Sequence, residues 1–261
     1  MKKKIYWGSY TQEEIKELIK KSPVVLLPVG AYEQHGSHLT LDTDTNIGVE
    51  IVRATVERSN SPCVMLPSIW LGISEHHMKF TGTLTLKQTT LTEVIYDILE
   101  SLNRNGVKKV VLVNSHGGNI GPLSAAINMI GSKIDGQHFL VTYWNLVSDI
   151  VKETRLSEFG GISHACELET SLKLYLSPED VRKDLMTQNI IKGNDYWSPE
   201  MFASNKVTLY KSFEKMSQLG HVGDPTKASI QTGEIVFNAI VTEMIKLVQF
   251  IHDGGFEDEN C

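Results

Sequence analysis

The sequence predicts an α/β fold, a mostly parallel sheet with helices on both faces, and three observations carry that reading. Apolar runs of strand length recur at VVLLPVG (24–30), CVMLPSIWLGI (63–73, strand and exit loop), KVVLVN (109–114) and HFLVTYW (138–144). Within these runs nearly every position is apolar, the pattern of a strand covered on both faces. Between them lie stretches of helical spacing, and strands alternating with helices imply parallel pairing.

The elements follow in order. Thr11 and Glu14 form a capping-box pattern ahead of Ile15, Leu18 and Ile19, which predicts a helix over 11–21 ended by Pro23. After the first strand, Ile47, Ile51, Val52 and Val56 mark a helix beyond Asp44. Leu91, Val94, Ile95, Ile98 and Leu102 form a further helical stripe closed by Gly106. SHGGN then turns the chain into a helix carrying Leu123, Ala126, Ile127 and Ile130. Ile235 to Ile251 reads as a closing helix, and the irregular region 185–230 is either an insertion over the site or an interface element. The expected organisation is one domain over 1–252 and a frayed tail over 253–261.

Composition narrows the function. With 261 residues, 41% hydrophobic and 21% charged, the chain can bury a sizeable core. A net charge of −6 without a basic cluster beyond MKKK disfavours nucleic acid. The start of the chain lacks an apolar signal segment, and no run of about 18 apolar residues suggests a membrane span, so a cytoplasmic location is expected. Three cysteines at unrelated spacings suit reduced thiols. Without a CxxC pattern, a metal site must draw on histidine and carboxylate.

Such groups crowd where strands end. EQHGSHLTLDTD (33–44) follows the first strand and SHGGN follows the third. In open α/β sheets ligands bind outside the carboxyl ends of strands. Glu33 and His35, two apart, point to one side of extended backbone; Asp44 lies beyond and His116 comes from the second loop. His38 and Asp42 are close enough to fix a ligand's tautomer. A second group is HACELETS (164–171), where a helix would put His164, Glu167 and Ser171 on one face and Leu168, Leu172 and Tyr175 opposite.

These residues also carry a resemblance. VGAYEQHGSHLTLDTD resembles the signature EQHGxHLPxxTD of the creatininase (creatinine amidohydrolase) family, and SEHHMKFTGT, NSHGGN, HACELETS and GHVGDPTKAS match further blocks in the same order. The likeness extends from about residue 6 to 250. It implies a three-layer α/β/α amidohydrolase with two divalent ions per subunit, zinc or manganese with iron(II) as an alternative, assembled as a homo-oligomer, commonly a hexamer. Position by position, Glu33, His35, Asp44 and His116 match metal ligands, with Asp44 bridging. His164 matches an acid/base histidine, Trp144 an aromatic beside the substrate, and His77 a family histidine placed here with the substrate.

Departures accompany the likeness. The enzyme that gives the family its name has a glutamate ligand where this chain has Gly118, and a tryptophan where it has Gly160. Glu167 is therefore expected as the fifth ligand and as a second proton carrier, with Glu169 as the alternative for that position. Thr40 and Thr81 replace prolines, and His76 stands where an acid is usual. The implied reaction is attack of a metal-activated water on a small cyclic or linear amide. The alternatives are a deformylase or peptide-trimming amidase using the same centre, or a non-catalytic protein cradling phosphate at SHGGN or holding metal.

Overall fold

The computed structural model describes residues 3–257. Strands β1 (Val24–Val29), β2 (Cys63–Met65), β3 (Lys109–Asn114) and β4 (Gln137–Thr142) form one sheet in the order β2-β1-β3-β4, parallel throughout. Side chains alternate between faces along a strand, and both faces are buried. Val24, Leu26, Val111 and Val113 join one core, and Val25, Leu27, Val29, Val110 and Leu112 the other.

Helices α2 (Thr43–Arg58) and α7 (Ile230–His252) complete the first core with Ile47, Ile51, Val236, Ile240 and Met244. Helices α3 (Gln88–Arg104) and α4 (Ile120–Gly131) complete the second with Leu91, Ile95, Leu99 and Leu123. Burying each such side chain contributes about 1.5–3 kcal/mol. The result is the expected three-layer α/β/α arrangement. Helix α1 (Gln12–Ile19) starts at the Thr11 capping box, with both reciprocal bonds present.

Some boundaries differ from the sequence reading, each for a local reason. β2 stops at Met65, and beyond Pro67, which has no N–H to pair, only the Val29–Ile69 bridge continues the contact. β4 ends at Thr142, so Tyr143 and Trp144 open a short 3-10 turn instead. A helix not singled out from the sequence, α5 (Ser148–Thr154), follows that turn. α7 begins earlier, at Ile230, where the Ser229 hydroxyl accepts the Thr232 N–H at 3.0 Å. By length and composition α7 is apolar enough to cross a membrane, contrary to the sequence reading. Here Val236, Phe237, Ile240, Val241, Met244, Val248 and Ile251 are spent on the core.

HACELETS is not one helix. His164 ends β5 (Ile162–His164), which pairs antiparallel with β6 (Val222–Gly223), and α6 (Glu167–Leu176) starts only after Ala165 has turned through a left-handed φ of 48°. The irregular segment between α6 and β6 covers the carboxyl end of the sheet, with Trp197, Met201 and Phe213 lining a cavity there. Cys63 and Cys166 are buried free thiols. In the tail, Phe256 packs on Phe139 and Phe250 at 5.0 Å each; residues 258–261, including Cys261, lie outside the described residues.

Candidate metal centre

Val29 at the end of β1 pairs with Asn114 at the end of β3, so the loops bearing Glu33 and His35 and that bearing His116 emerge side by side. Asp44 arrives in the first turn of α2. That turn lies against the β1 exit because residue 30 is glycine: a Cβ there would sit 2.7 Å from the Thr45 Cα.

The side chains converge tightly. His35 Nε2 lies 3.2 Å from Asp44 Oδ1, and His116 Nδ1 lies 3.0 Å from Asp44 Oδ2. Glu33 Oε2 is 3.3 Å from His116 Nε2, while its Oε1 is 3.3 Å from His77 Nε2 and 3.6 Å from His164 Nδ1. Four overlapping triads each hold ligand atoms within 4.8 Å: Glu33/His35/Asp44, His35/His164/Glu169, Glu33/His77/His164 and Glu33/His76/His116.

Backbone carbonyls select which nitrogens face inward. His35 Nδ1–H donates to the Glu33 carbonyl at 3.1 Å, and His164 Nε2–H to the Gln34 carbonyl at 2.8 Å. His116 Nε2–H donates to the Ile73 carbonyl at 3.0 Å. In the neutral form of each ring, the one a metal ion would require, the lone pair then lies on the opposite nitrogen: Nε2 of His35 and Nδ1 of His116 toward Asp44, and Nδ1 of His164 toward Glu33. Gln34 also donates through Nε2 to His77 Nδ1 at 2.7 Å, which places the His77 proton on Nε2. Phe213 from the covering segment stacks on His77 at 4.0 Å and lies 4.8 Å from His164.

The electrostatics are those of charges taken out of water. Burial opposes ionisation of Asp44, yet His35 and His116 hold it well below the usual carboxylate range. Burial pushes Glu33 up to about 7, and it also raises Glu169. Burial works against a charge on His35 and His116, but Asp44 lifts His35 to about 10, and Glu33 with Asp44 lifts His116 to about 9. His164 and His77 are held well below their usual value by burial and by neighbouring imidazoles.

The arrangement fits a divalent cation. Glu33 Oε2 and Asp44 Oδ2 are fully buried and no hydrogen-bond donor is aligned on either, despite the short contacts to His116. A buried anionic oxygen without a donor is costly, and a cation held by carboxylate oxygens and imidazole nitrogens removes that cost.

Most residues expected at the site are here, with corrections. Glu33, His35, Asp44, His116 and His164 come together, and His77 and Trp144 line the cavity. Glu167 does not reach it: its Oε1 and Oε2 accept the N–H groups of Leu156 and Ser157, each at 2.8 Å, so both oxygens are used in holding a loop. The shared-face argument fails because His164 belongs to a strand and Glu167 is the first residue of the helix. Glu169, at the third helical position, points back over the helix start and lines the cavity instead. The signal for it was the spacing Cys166-x-x-Glu169, a capping-box register with an unusual cap. His38 and Asp42 touch no ligand either: His38 bonds the Thr170 hydroxyl at 3.1 Å and Asp42 that of Thr40 at 2.6 Å.

Comparison with known proteins identifies the family. The creatininase (creatinine amidohydrolase) family profile matches residues 8–248. The chain is 31% identical over 249 residues to the mycofactocin precursor peptide peptidase of Mycobacterium tuberculosis (strain ATCC 25618 / H37Rv), covering 92% of this chain and 89% of that protein. It is 29% identical over 200 residues to the creatinine amidohydrolase of Pseudomonas putida, covering 70% and 76%. A solved structure described as "Creatininase Mn" superposes with a TM-score of 0.80 at 25% identity, covering 95% of this chain and 98% of that one. The chain therefore belongs to the creatininase family and is a metal-dependent hydrolase of carbon–nitrogen bonds, with its histidine and carboxylate cluster at the carboxyl end of the sheet.

Proposed function

We propose that the chain hydrolyses a neutral or cationic amide at two divalent ions, zinc or manganese, held by Glu33, His35, Asp44, His116 and Glu169. The observation that carries the substrate charge is the cavity lining. Among the described residues it contains Glu33, Asp44, Glu169 and Glu200 but no lysine or arginine, and Trp144, Trp197, Met201 and Phe213 supply apolar walls. A phosphorylated substrate meets no lysine or arginine there. The cavity of about 380 Å³ admits a small amide or the end of a peptide.

Divalent ions supply a water of lowered pKa and a polarised carbonyl. The chain's own residues supply the rest. His164, neutral and with Nδ1 facing Glu33 at 3.6 Å, takes the proton of the attacking water and returns it to the leaving nitrogen. Trp144 and Phe213 wall off solvent, and Gln34 holds the His77 ring through its side-chain amide and the His164 ring through its backbone carbonyl.

A second reading, trimming of a peptide end, is favoured by the 31% identity to a precursor-peptide peptidase across 92% of this chain. Creatinine itself fits less well. Gly118 carries no carboxylate, and at Gly160, with φ of +92°, a Cβ would sit 2.8 Å from the Ile191 carbonyl, leaving no place for a tryptophan. The proposal includes a cytoplasmic homo-oligomer, a hexamer: buried free thiols suit a reducing compartment, and Leu156, Leu209 and Tyr210 are exposed apolar surface for a second copy.

The test is turnover of creatinine, N-formyl compounds and short peptides by zinc- or manganese-loaded protein, beside Asp44→Ala. The expected result is hydrolysis of an amide other than creatinine, with creatinine below about 10⁴ M⁻¹s⁻¹ in kcat/KM, and loss of both metal and turnover in Asp44→Ala. Absence of bound divalent metal in the wild-type protein would overturn the proposal.

A further inference from the structure

His76 is the one imidazole at the cavity with no hydrogen bond among the described residues; its neighbours are rings, His77 at 4.3 Å, Phe213 at 5.6 Å and His116 at 5.9 Å. It sits in the short 3-10 turn Glu75–His77, which sends two consecutive imidazoles toward the site. A nitrogen of its ring lies within 4.8 Å of ligand atoms of Glu33 and His116. The third member, Glu33, carries the buried oxygen on which no donor is aligned.

The His76 ring lies beside Gly118. A Cβ built on Gly118 would fall 2.8 Å from His76 Cε1, 2.4 Å from His116 Nε2 and 2.3 Å from the Ile73 carbonyl oxygen. Those distances are far inside van der Waals contact, so position 118 has no room for a side chain between the Ile73 carbonyl and His116, and the His76 ring borders the same point.

We propose that His76 is a metal ligand, sharing with Glu33 and His116 the position beside Gly118 that has no side chain of its own. This rests on the metal-centre reading above. A neutral nitrogen donor there makes the site one negative charge poorer than a carboxylate would. It shifts preference from the hard manganese ion toward zinc or cobalt.

The experiment is metal binding by the full chain, without reference to turnover. Wild type, His76→Ala, His76→Glu and the exposed-neighbour control Glu75→Ala are dialysed against zinc, manganese or cobalt. Bound metal is counted and affinity taken from chelator competition; the cobalt d–d spectrum reports coordination, and circular dichroism confirms folding. His76→Ala is expected to weaken one ion by about 10–100-fold or more, the range for disturbing an ordered shell, with an altered cobalt spectrum. His76→Glu should restore the ion with relative preference moved toward manganese, and Glu75→Ala should match wild type. Wild-type affinity and spectrum in a folded His76→Ala overturn the inference while the metal centre stands; a wild type that binds no metal overturns both. If His76→Ala does not fold, His76→Glu decides, since an unchanged metal preference there also refutes a ligand at this position.

Discussion

Replacing Glu167 with glutamine separates its loop-holding role from a place in the metal centre. The carboxylate is 1% exposed and accepts two backbone N–H groups at 2.8 Å, from Leu156 and Ser157. Glutamine keeps one acceptor and turns an NH₂ toward the second N–H, so one charge-assisted bond is lost and one donor faces another. Hydrogen bonds to charged groups contribute about 1.5–3 kcal/mol each, which puts the cost at about 2–4 kcal/mol once the remaining bond loses its charge. For a chain of this size that lowers Tm by about 5–15 °C. Calorimetry should show this fall while metal content stays that of wild type. Glu169→Gln should do the reverse, losing metal while the metal-free protein is no less stable, because a buried carboxyl raised by burial is removed. Unchanged stability with depleted metal in Glu167→Gln would refute the assignment and return Glu167 to the centre.

Two further outcomes follow from burial and charge. Arg155→Ala leaves the Glu200 carboxylate, buried and paired at 2.6 Å, with only the N–H groups of Gly160 and Ile162, and urea unfolding should show a loss of about 3–5 kcal/mol. For pH, His35 and His116 are raised to about 10 and 9 from 6.5, so in metal-free protein their contribution is full below 6.5 and lost as pH rises through 9 to 10. His164 and His77 are lowered, so the unfolded chain binds more protons below 6.5 and stability falls there too. Calorimetric scans of metal-free protein from pH 5 to 10.5 should show the fall on both sides; a flat profile above pH 8 would contradict the histidine–carboxylate pairing (about one to two pH steps beyond the usual imidazole range).

Metal affinity should rise over the same interval, since each coordinating imidazole must give up its proton to bind. The acid side of that dependence is set by Glu33, which burial raises to about 7.

The four-stranded sheet was legible because each strand carries its own signal. A run apolar at every position can only be covered on both faces, and β1 and β3 lie where VVLLPVG and KVVLVN placed them. The first four ligand-type residues were legible because they occupy loops at strand ends, where parallel topology brings loops together whatever their contents. The fifth was not. Choosing between Glu167 and Glu169 turns on whether α6 starts at His164 or three residues later, and that depends on β5 pairing with β6 some sixty residues away. The covering segment was ambiguous for the same reason: Trp197 and Phe213 acquire a place only by packing over groups far away in sequence, His77 and His164 among them.

The sequence by itself determined the layers and the donor set, because hydrophobic periodicity and side-chain chemistry are local properties. Tertiary structure alone decided which carboxylate holds a loop and which faces the cavity, and that His76 takes the space beside Gly118. Those outcomes depend on distances of 2 to 3 Å between atoms brought together from separate loops, strands and helices. Spacing along the chain carries no information at that scale.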